Sequence, residues 1–207
     1  MTKHLHPSLS AIVLAGGKAR RFGGIDKGLV DFKGKPLIQR TLEIISPLIP
    51  DVQINANRSL SQYADLGFEV VADDLEDFQG PLAGMATALA LATTSHVLFL
   101  PCDCPLLEDA IVHRLAEASA NHPNAICVAH DGNRLQPVFA VIPKKLEQSL
   151  RDYLLDGQRK IDHWYALHPH REISFADCAQ IFININSEAE LNTALEDLAQ
   201  QESERID

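Results

Sequence analysis

Short, continuous apolar runs alternate with helix-period stretches along almost the whole of this 207-residue chain. That alternation constrains the fold more than any other feature. AIVLAG from Ala11 and HVLFLP from His96 carry no polar residue at alternate positions, so as strands they must be covered on both faces. VQINA from Val52, FEVVA from Phe68, AICVAH from Ala125, PVFAVI from Pro137 and IFINI from Ile181 read as further strands. Between them lie helical patterns over Pro36–Ile45, Leu82–Ala92, Leu107–Ala120 and Leu146–Leu155. Ser187 starts a last helix, with Glu190 three residues on to complete a capping box. AICVAH and PVFAVI are separated by the turn Asp131-Gly132-Asn133 and read as a hairpin-like excursion. Strands alternating with helices predict an α/β chain: a three-layer sandwich around a mainly parallel sheet. In such a sheet ligands sit outside the carboxyl ends of the strands, so residues just after each strand carry the functional argument. With no repeat and no linker, residues 1–207 read as one domain, ending in a frayed acidic tail over 200–207.

Charge excludes one broad class of partner. Eighteen basic residues stand against 28 acidic ones, a formal net charge of −10, whereas nucleic-acid binding normally shows a basic face. No apolar run reaches the roughly 18 residues that suggest a membrane span. The segment MTKHLHPSLS lacks the apolar stretch of a secretory leader, so the expected location is the cytoplasm. Cys102, Cys104, Cys127 and Cys178 match no zinc spacing and read as small buried residues. The histidines of HWYALHPH (His163, His168, His170), with Trp164 and Tyr165, read as packing or surface residues.

LAGGKARRFGGIDK, Leu14 to Lys27, follows the first strand directly. Gly16 and Gly17 allow a sharp turn whose free N–H groups form an anion-binding concavity. Lys18, Arg20, Arg21 and Lys27 surround it with positive charge. Triphosphate chemistry needs this pairing of backbone donors for the oxygens with cations against the charge on leaving pyrophosphate. The spacing is neither G-x-x-x-x-G-K-[ST] nor G-x-G-x-x-G.

Asp103 follows the buried strand HVLFLP. A carboxylate there suits Mg2+, which often takes only one or two protein carboxylates and completes its shell with phosphate and water. The competing reading is a helix cap. Asn55 and Asp73 also stand at strand ends and suit a base edge or a ribose. Which of the two reads the base is open, and turn chemistry is the alternative for both. Gly80 opens GPLAGM, a loop-to-helix joint whose free N–H groups can face a ligand.

LAGG-x(3)-R-F-G with its following Lys resembles the signature of nucleotidyltransferases with a Rossmann-like, nucleotide-diphospho-sugar transferase-like sheet. With NANR (Asn55–Arg58), ADD-x(5)-GPLAGM (Ala72–Met85), PCDCP (Pro101–Pro105) and the turn from Asn184, the chain is similar to the molybdenum cofactor guanylyltransferase family. The resemblance implies that Leu14, Ala15, Gly16, Lys27, Asn55, Asp73 and Asp103 line the nucleotide and metal site. It puts nucleotide binding in residues from about 9 to 105 and acceptor binding from about 106 to 199. It assigns Asp103 to Mg2+, the one cofactor expected, and the loop from Gly80 to the nucleotide.

On the acceptor side it implies Arg159, Lys160, Asn184 and Asn186. Lys160 departs from a pair of arginines and loses bidentate geometry, and surface charge is the alternative for this pair. The implied reaction takes GTP and molybdenum-molybdopterin, with Arg21 and Lys27 assisting pyrophosphate departure. Client molybdoenzymes or cofactor-handling proteins are implied partners. The oligomeric state stays open, with a monomer favoured. Rival readings are a cytidylyl or sugar-1-phosphate nucleotidyltransferase and a non-catalytic carrier of the cofactor.

Overall fold

The computed structural model describes residues 8–15, 25–75, 80–187, 189–191 and 193. Seven strands form one sheet. In chain order these are β1 (Leu9–Leu14), β4 (Val52–Asn55), β5 (Glu69–Val71), β6 (His96–Pro101), β7 (Ile126–His130), β8 (Leu135–Pro143) and β9 (His170–Ser174); the two-residue strands β2 (Asp31–Phe32) and β3 (Lys35–Pro36) pair separately. The spatial order is β5-β4-β1-β6-β8-β7-β9. β8 is antiparallel to both its neighbours, and every other pairing in this sheet is parallel. The expected mainly parallel α/β sheet is present. The hairpin of β7 and β8 is not an excursion, because it lies within the main sheet, with β8 beside β6.

Six helices are described: α1 (Leu37–Ile45), α2 (Leu60–Ala64), α3 (Pro81–Leu91), α4 (Ala110–Asn121), α5 (Glu147–Leu155) and α6 (Ile161–Tyr165). The alternation of Cβ directions along a strand sorts the core into two layers. On one face Ala11 and Val13 of β1 and Leu98 and Leu100 of β6 pack with Ile38 and Leu42 of α1 and Ile111 and Leu115 of α4. On the other, Ile12, Leu14, Val97 and Phe99 pack with α3, α5 and α6, including Met85, Leu150 and Trp164. Burying each such aliphatic or aromatic side chain contributes about 1.5–3 kcal/mol before entropy is counted. Helix α3 is apolar all round and buried from Leu82 through Leu89, as a helix enclosed by its own protein must be.

Two expectations along the chain are corrected. The helix read from Leu107 starts at Ala110. IFINI is not a strand: Ile181 and Phe182 end a 3-10 segment over Ala176–Phe182, and Ile183 is extended beyond it. The parallel partner of β7 is instead HREIS, β9, whose mostly exposed residues hid it from a search for apolar runs. A short apolar run does not declare its own conformation. Here Ile181 and Phe182 find their apolar surroundings from 3-10 turns. The Phe182 ring packs edge-on against Phe139 (4.8 Å) and Phe175 (5.6 Å).

The start of the last helix keeps its cap, since Ser187 Oγ accepts the Glu190 N–H at 3.2 Å. The Glu190 carboxylate reaches back to the N–H of Asn186, one residue earlier than a capping box uses. The expected frayed tail lies outside the described residues.

The 3-10 segment is tied to α4 by charge. Arg114 donates Nη1 and Nη2 to the two Asp177 oxygens at 2.7 and 2.6 Å, and lies 5.0 Å from the Phe175 ring centroid. Hydrogen bonding from Arg114 holds the Asp177 carboxyl at about 2, below its ordinary 3.8. A depressed folded value means that the contribution is present above 3.8 and is lost as pH falls through about 2. Asp177→Asn should therefore lower the thermal midpoint at pH 7, and the gap to the parent protein should close as pH falls towards 2. A gap of constant size across that range would rule out the charge pair as its cause.

Candidate active site

The chain leaves β1, builds β4 and β5 on one side, then crosses to β6 on the other side of β1. That switch puts the expected ligand crevice at the carboxyl ends of β1 and β6, and Leu14, Ala15, Asn55, Asp73 and Asp103 stand at or just after the ends of β1, β4, β5 and β6. Ala15 N–H donates to the Asn55 carbonyl at 2.8 Å, and Cys102 N–H to the Leu14 carbonyl at 3.2 Å. These bonds hold the ends of β1, β4 and β6 together. Gly16, Gly17, Lys18, Arg20 and Arg21 lie outside the described residues.

Lys27 begins a 3-10 turn over Lys27–Leu29. Its ammonium pairs with Asp103 Oδ2 and donates to Asn186 Oδ1 at 2.8 Å. The Lys27 and Asp103 side chains are only 23% and 14% exposed, so salt screens this pair less than a surface one. Asp103 does not cap a helix, because α4 begins seven residues later with Asp109 at its cap position. The neighbouring Cys104 thiol donates to Asn184 Oδ1 at 2.8 Å, and the Ile185 N–H to the Asp103 carbonyl at 3.0 Å. The structure thus brings Lys27, Asp103, Asn184 and Asn186 together.

Arg159 and Lys160 are held elsewhere, in the loop between α5 and α6. Arg159 Nη1 donates to the Leu154 and Gln158 carbonyls at 2.9 and 2.5 Å, and the Lys160 carbonyl accepts the Tyr153 hydroxyl at 2.8 Å.

A second cluster surrounds Asp73. Asn55 is buried, and its Nδ2 donates both to the Val71 carbonyl (3.2 Å) and to Asp73 Oδ1 (2.8 Å). Asn57 Nδ2 donates to Asp73 Oδ2 at 2.8 Å, while Asn57 Oδ1 accepts the Asp73 N–H at 2.8 Å. Sequence reading missed Asn57, although NANR places it two residues beyond Asn55 on the same side of an extended chain. Gly84 was missed as well. A Cβ there would stand 2.2 Å from Asn55 Oδ1 and 3.0 Å from Leu14 Cδ2, so α3 can lie against the strand ends only with hydrogen at this position. Gly80 caps α3 at φ 134°, a backbone conformation favouring glycine, and Pro81 takes the first helical position.

Two further links frame the crevice. Arg58 reaches Asp26 Oδ1 at 2.8 Å, bracing the turn that carries Lys27 from the loop after β4. Asp74, next to Asp73, accepts from Thr87 of α3 at 2.7 Å and from Arg151 of α5 at 2.5 Å. All four cysteines are buried and unpaired, as expected. Burial pushes the thiols of Cys102 and Cys104 far up and that of Cys127 to about 11, so they stay protonated at neutral pH. Trp164 and Tyr165 are buried, donating to Ser149 Oγ and the Pro137 carbonyl, and serve packing.

Among the described residues no group of three or more His, Cys, Asp or Glu gathers as a metal site. Asp103 nonetheless fits Mg2+. Its carboxylate and the Asn186 carboxamide oxygen already converge on one cation, the Lys27 ammonium. Hard oxygen donors of this kind need only phosphate and water to complete an octahedral shell. No described helix is long and apolar enough to cross a membrane.

A mainly parallel sheet with a cation–carboxylate pair at its switch point suits phosphate chemistry, and the family match below makes the chain an enzyme of the nucleotidyltransferase class. Residues 11–173 match the model of the MobA-like NTP transferase domain. A molybdenum cofactor guanylyltransferase from Shewanella sp. (strain MR-4) is 45% identical over 179 residues, 86% of this chain and 91% of that protein. A solved structure from Aquifex aeolicus VF5 superposes with a TM-score of 0.73 at 28% identity, covering 87% and 94% of the two chains. The molybdopterin-guanine dinucleotide biosynthesis protein A of Archaeoglobus fulgidus shares the fold with a TM-score of 0.77 at 23% identity, over 92% and 99%. The chain belongs to the molybdenum cofactor guanylyltransferase family.

Gly84→Ala should lower stability to urea by about 1–3 kcal/mol, the cost of overpacking. Asn55→Ala in the same chain should restore part of that loss, because the two side chains compete for one space. Equal midpoints for Gly84→Ala and its parent would show that the contact is not tight.

Proposed function

We propose that this chain transfers GMP from GTP to the terminal phosphate of molybdenum-molybdopterin, releasing pyrophosphate and forming the guanine dinucleotide cofactor. The observation that carries this reading is the Lys27 ammonium shared between Asp103 and Asn186 at the sheet's switch point. It supports the reading because an ammonium suited to phosphate and a carboxylate suited to Mg2+ stand together beside Asn186.

GTP lies with its phosphates over Leu14, Ala15, Gly16 and Gly17, whose chain continues directly from β1. Asp73 reads the base. Both hydrogens of the Asn55 amide are committed to Val71 and Asp73, whereas each Asp73 oxygen keeps acceptor capacity. Gly80 brings the start of α3 against the nucleotide. Asp103 would hold Mg2+, which would supply neutralisation of the phosphate charge.

A terminal phosphate oxygen of the acceptor forms the new bond to the α-phosphorus. The bond from that phosphorus to the pyrophosphate oxygen breaks, and pyrophosphate leaves with the electron pair. No side chain need remove a proton, since the attacking phosphate is already ionised near neutral pH. Lys27 moves from Asp103 to the departing phosphates, and Arg21 shares their charge. Asn184, Asn186, Arg159 and Lys160 hold the acceptor's polar pterin and phosphate. Rate then comes from positioning and electrostatics. Every residue named in this reading comes from one chain, so the reading keeps a monomer, with hand-over to client molybdoenzymes after release.

Pyrophosphate release should occur with GTP, molybdenum-loaded acceptor and Mg2+, and not with ATP, CTP or UTP, nor in EDTA. Asp103→Ala should lose at least about 10²–10³-fold in kcat; Asp103→Asn, which keeps an oxygen for the Lys27 ammonium, should lose activity likewise with a smaller drop in thermal midpoint than Asp103→Ala. Release with CTP would favour a cytidylyltransferase. Cofactor binding with no release would favour a carrier, and full activity of Asp103→Ala would end the metal assignment.

A further inference from the structure

We infer that Asn57 is a specificity-determining positioning residue, one that locks the Asp73 carboxylate into the orientation that accepts guanine and rejects adenine. The inference rests on the reading of Asp73 as the base acceptor. Guanine presents two parallel donors, N1–H and the exocyclic N2 amine. A carboxylate can accept both at once, but only if its plane is fixed. Rotation about the last side-chain torsion of an aspartate is broad and only weakly restrained by its own chemistry. Something outside Asp73 must therefore hold it.

Two amides do so, one on each oxygen. Asn55 Nδ2 binds Oδ1 at 2.8 Å and Asn57 Nδ2 binds Oδ2 at 2.8 Å. Neither amide orientation is arbitrary. Asn55 Nδ2 faces two acceptors, the Val71 carbonyl and the carboxylate. Asn57 Oδ1 accepts the Asp73 backbone N–H at 2.8 Å, so its NH2 has to face the carboxylate. Exchanging O and N in either amide would set two acceptors or two donors face to face. The two asparagines differ in what else they do. Asn55 is buried and packs against Gly84, so removing it disturbs α3. Asn57 is exposed, and its described side-chain bonds both go to Asp73.

An ionised carboxylate has about four acceptor positions. One on each oxygen is used, leaving one on each for the base. Adenine would turn its N1 lone pair towards one of these oxygens, and two acceptors repel. Without Asn57, Oδ2 loses its restraint, and the carboxylate can turn so that a single oxygen meets the amino group of adenine. Guanine then loses its paired acceptors, while adenine gains at most one weak, exposed hydrogen bond.

The test is nucleotide binding by titration calorimetry with Mg2+ and no acceptor, so that no turnover occurs. GTP, ITP (which lacks the N2 amine) and ATP are compared on the parent, Asn57→Ala and Asp73→Asn. Asn57→Ala should keep its thermal midpoint, weaken GTP about tenfold, the order expected for a lost hydrogen bond to a charged group, and leave ATP within about twofold. The preference for GTP over ITP should shrink in parallel. Equal weakening of all three nucleotides would mark Asn57 as a loop brace and overturn the inference, as would unchanged GTP affinity. If Asp73→Asn keeps the preference for GTP over ATP, the reading of Asp73 itself fails. If Asp73→Asn loses that preference and Asn57→Ala keeps it, only the role of Asn57 fails.

Discussion

The Lys27 ammonium between Asp103 and Asn186 is the contact on which the rest of the site depends. It joins residues 76 and 159 positions apart in sequence, and each comes from a different level of the fold. Asp103 is delivered by the central strand β6, Lys27 by the turn after the glycine-rich segment, and Asn186 by the end of the chain's last extended stretch. An ammonium and a carboxylate this little exposed would each be costly to leave unpaired. Together they keep the crevice ordered in a chain with a net charge of −10. The same pairing is well suited to exchange. In the proposed reaction a nucleotide would bring phosphate oxygens for the lysine and a divalent ion for the aspartate, so both partners would be re-paired in one event and neither charge stranded.

The cluster proposed to meet the base is built differently. Around Asp73 the partners are neutral amides, which orient a carboxylate without cancelling its charge. That distinction matches the two tasks. Phosphate chemistry needs mobile cations and strong fields, whereas base discrimination needs a fixed pattern of acceptors, since a site left with unpaired polar groups rejects the wrong partner. Asp74, next to Asp73, joins α3 to α5. Through Thr87 it fastens α3, and through Arg151 it reaches α5, the helix that leads into the loop of Arg159 and Lys160.

Much of this was legible in the sequence, and the limits have physical causes. Continuous apolar runs announced β1 and β6 because a strand covered on both faces leaves no choice of residue. β9 was illegible for the opposite reason: its residues are mostly exposed and resemble any polar surface segment. Asp103, Asn55 and Asp73 could be singled out because they follow strands, where an α/β sheet puts its chemistry. Asn57 and Gly84 could not, since their roles exist only once β4, β5 and α3 are stacked. The glycine-rich segment remains readable chiefly as sequence, its central residues lying outside those described.

The instructive case is IFINI. The expectation of an extended chain at its end was sound, and the expectation of sheet pairing was not. Ile183 is extended, Ile185 is fully buried among Val30, Phe32, Leu37 and Leu106, and the Asn184 and Asn186 side chains go to Cys104 and Lys27. That is the two-residue alternation of a strand, used to present asparagines to a catalytic crevice. Of the backbone bonds a ladder would need, Ile185 makes one to the Asp103 carbonyl. Had the segment joined the sheet edge beside β7, the place β9 occupies, its asparagines would have been carried away from β6, three strands distant in the sheet. Polar β9 at that edge leaves the apolar and asparagine-bearing stretch available for the site, so the division of labour between the two segments is a requirement of function that local propensity does not encode.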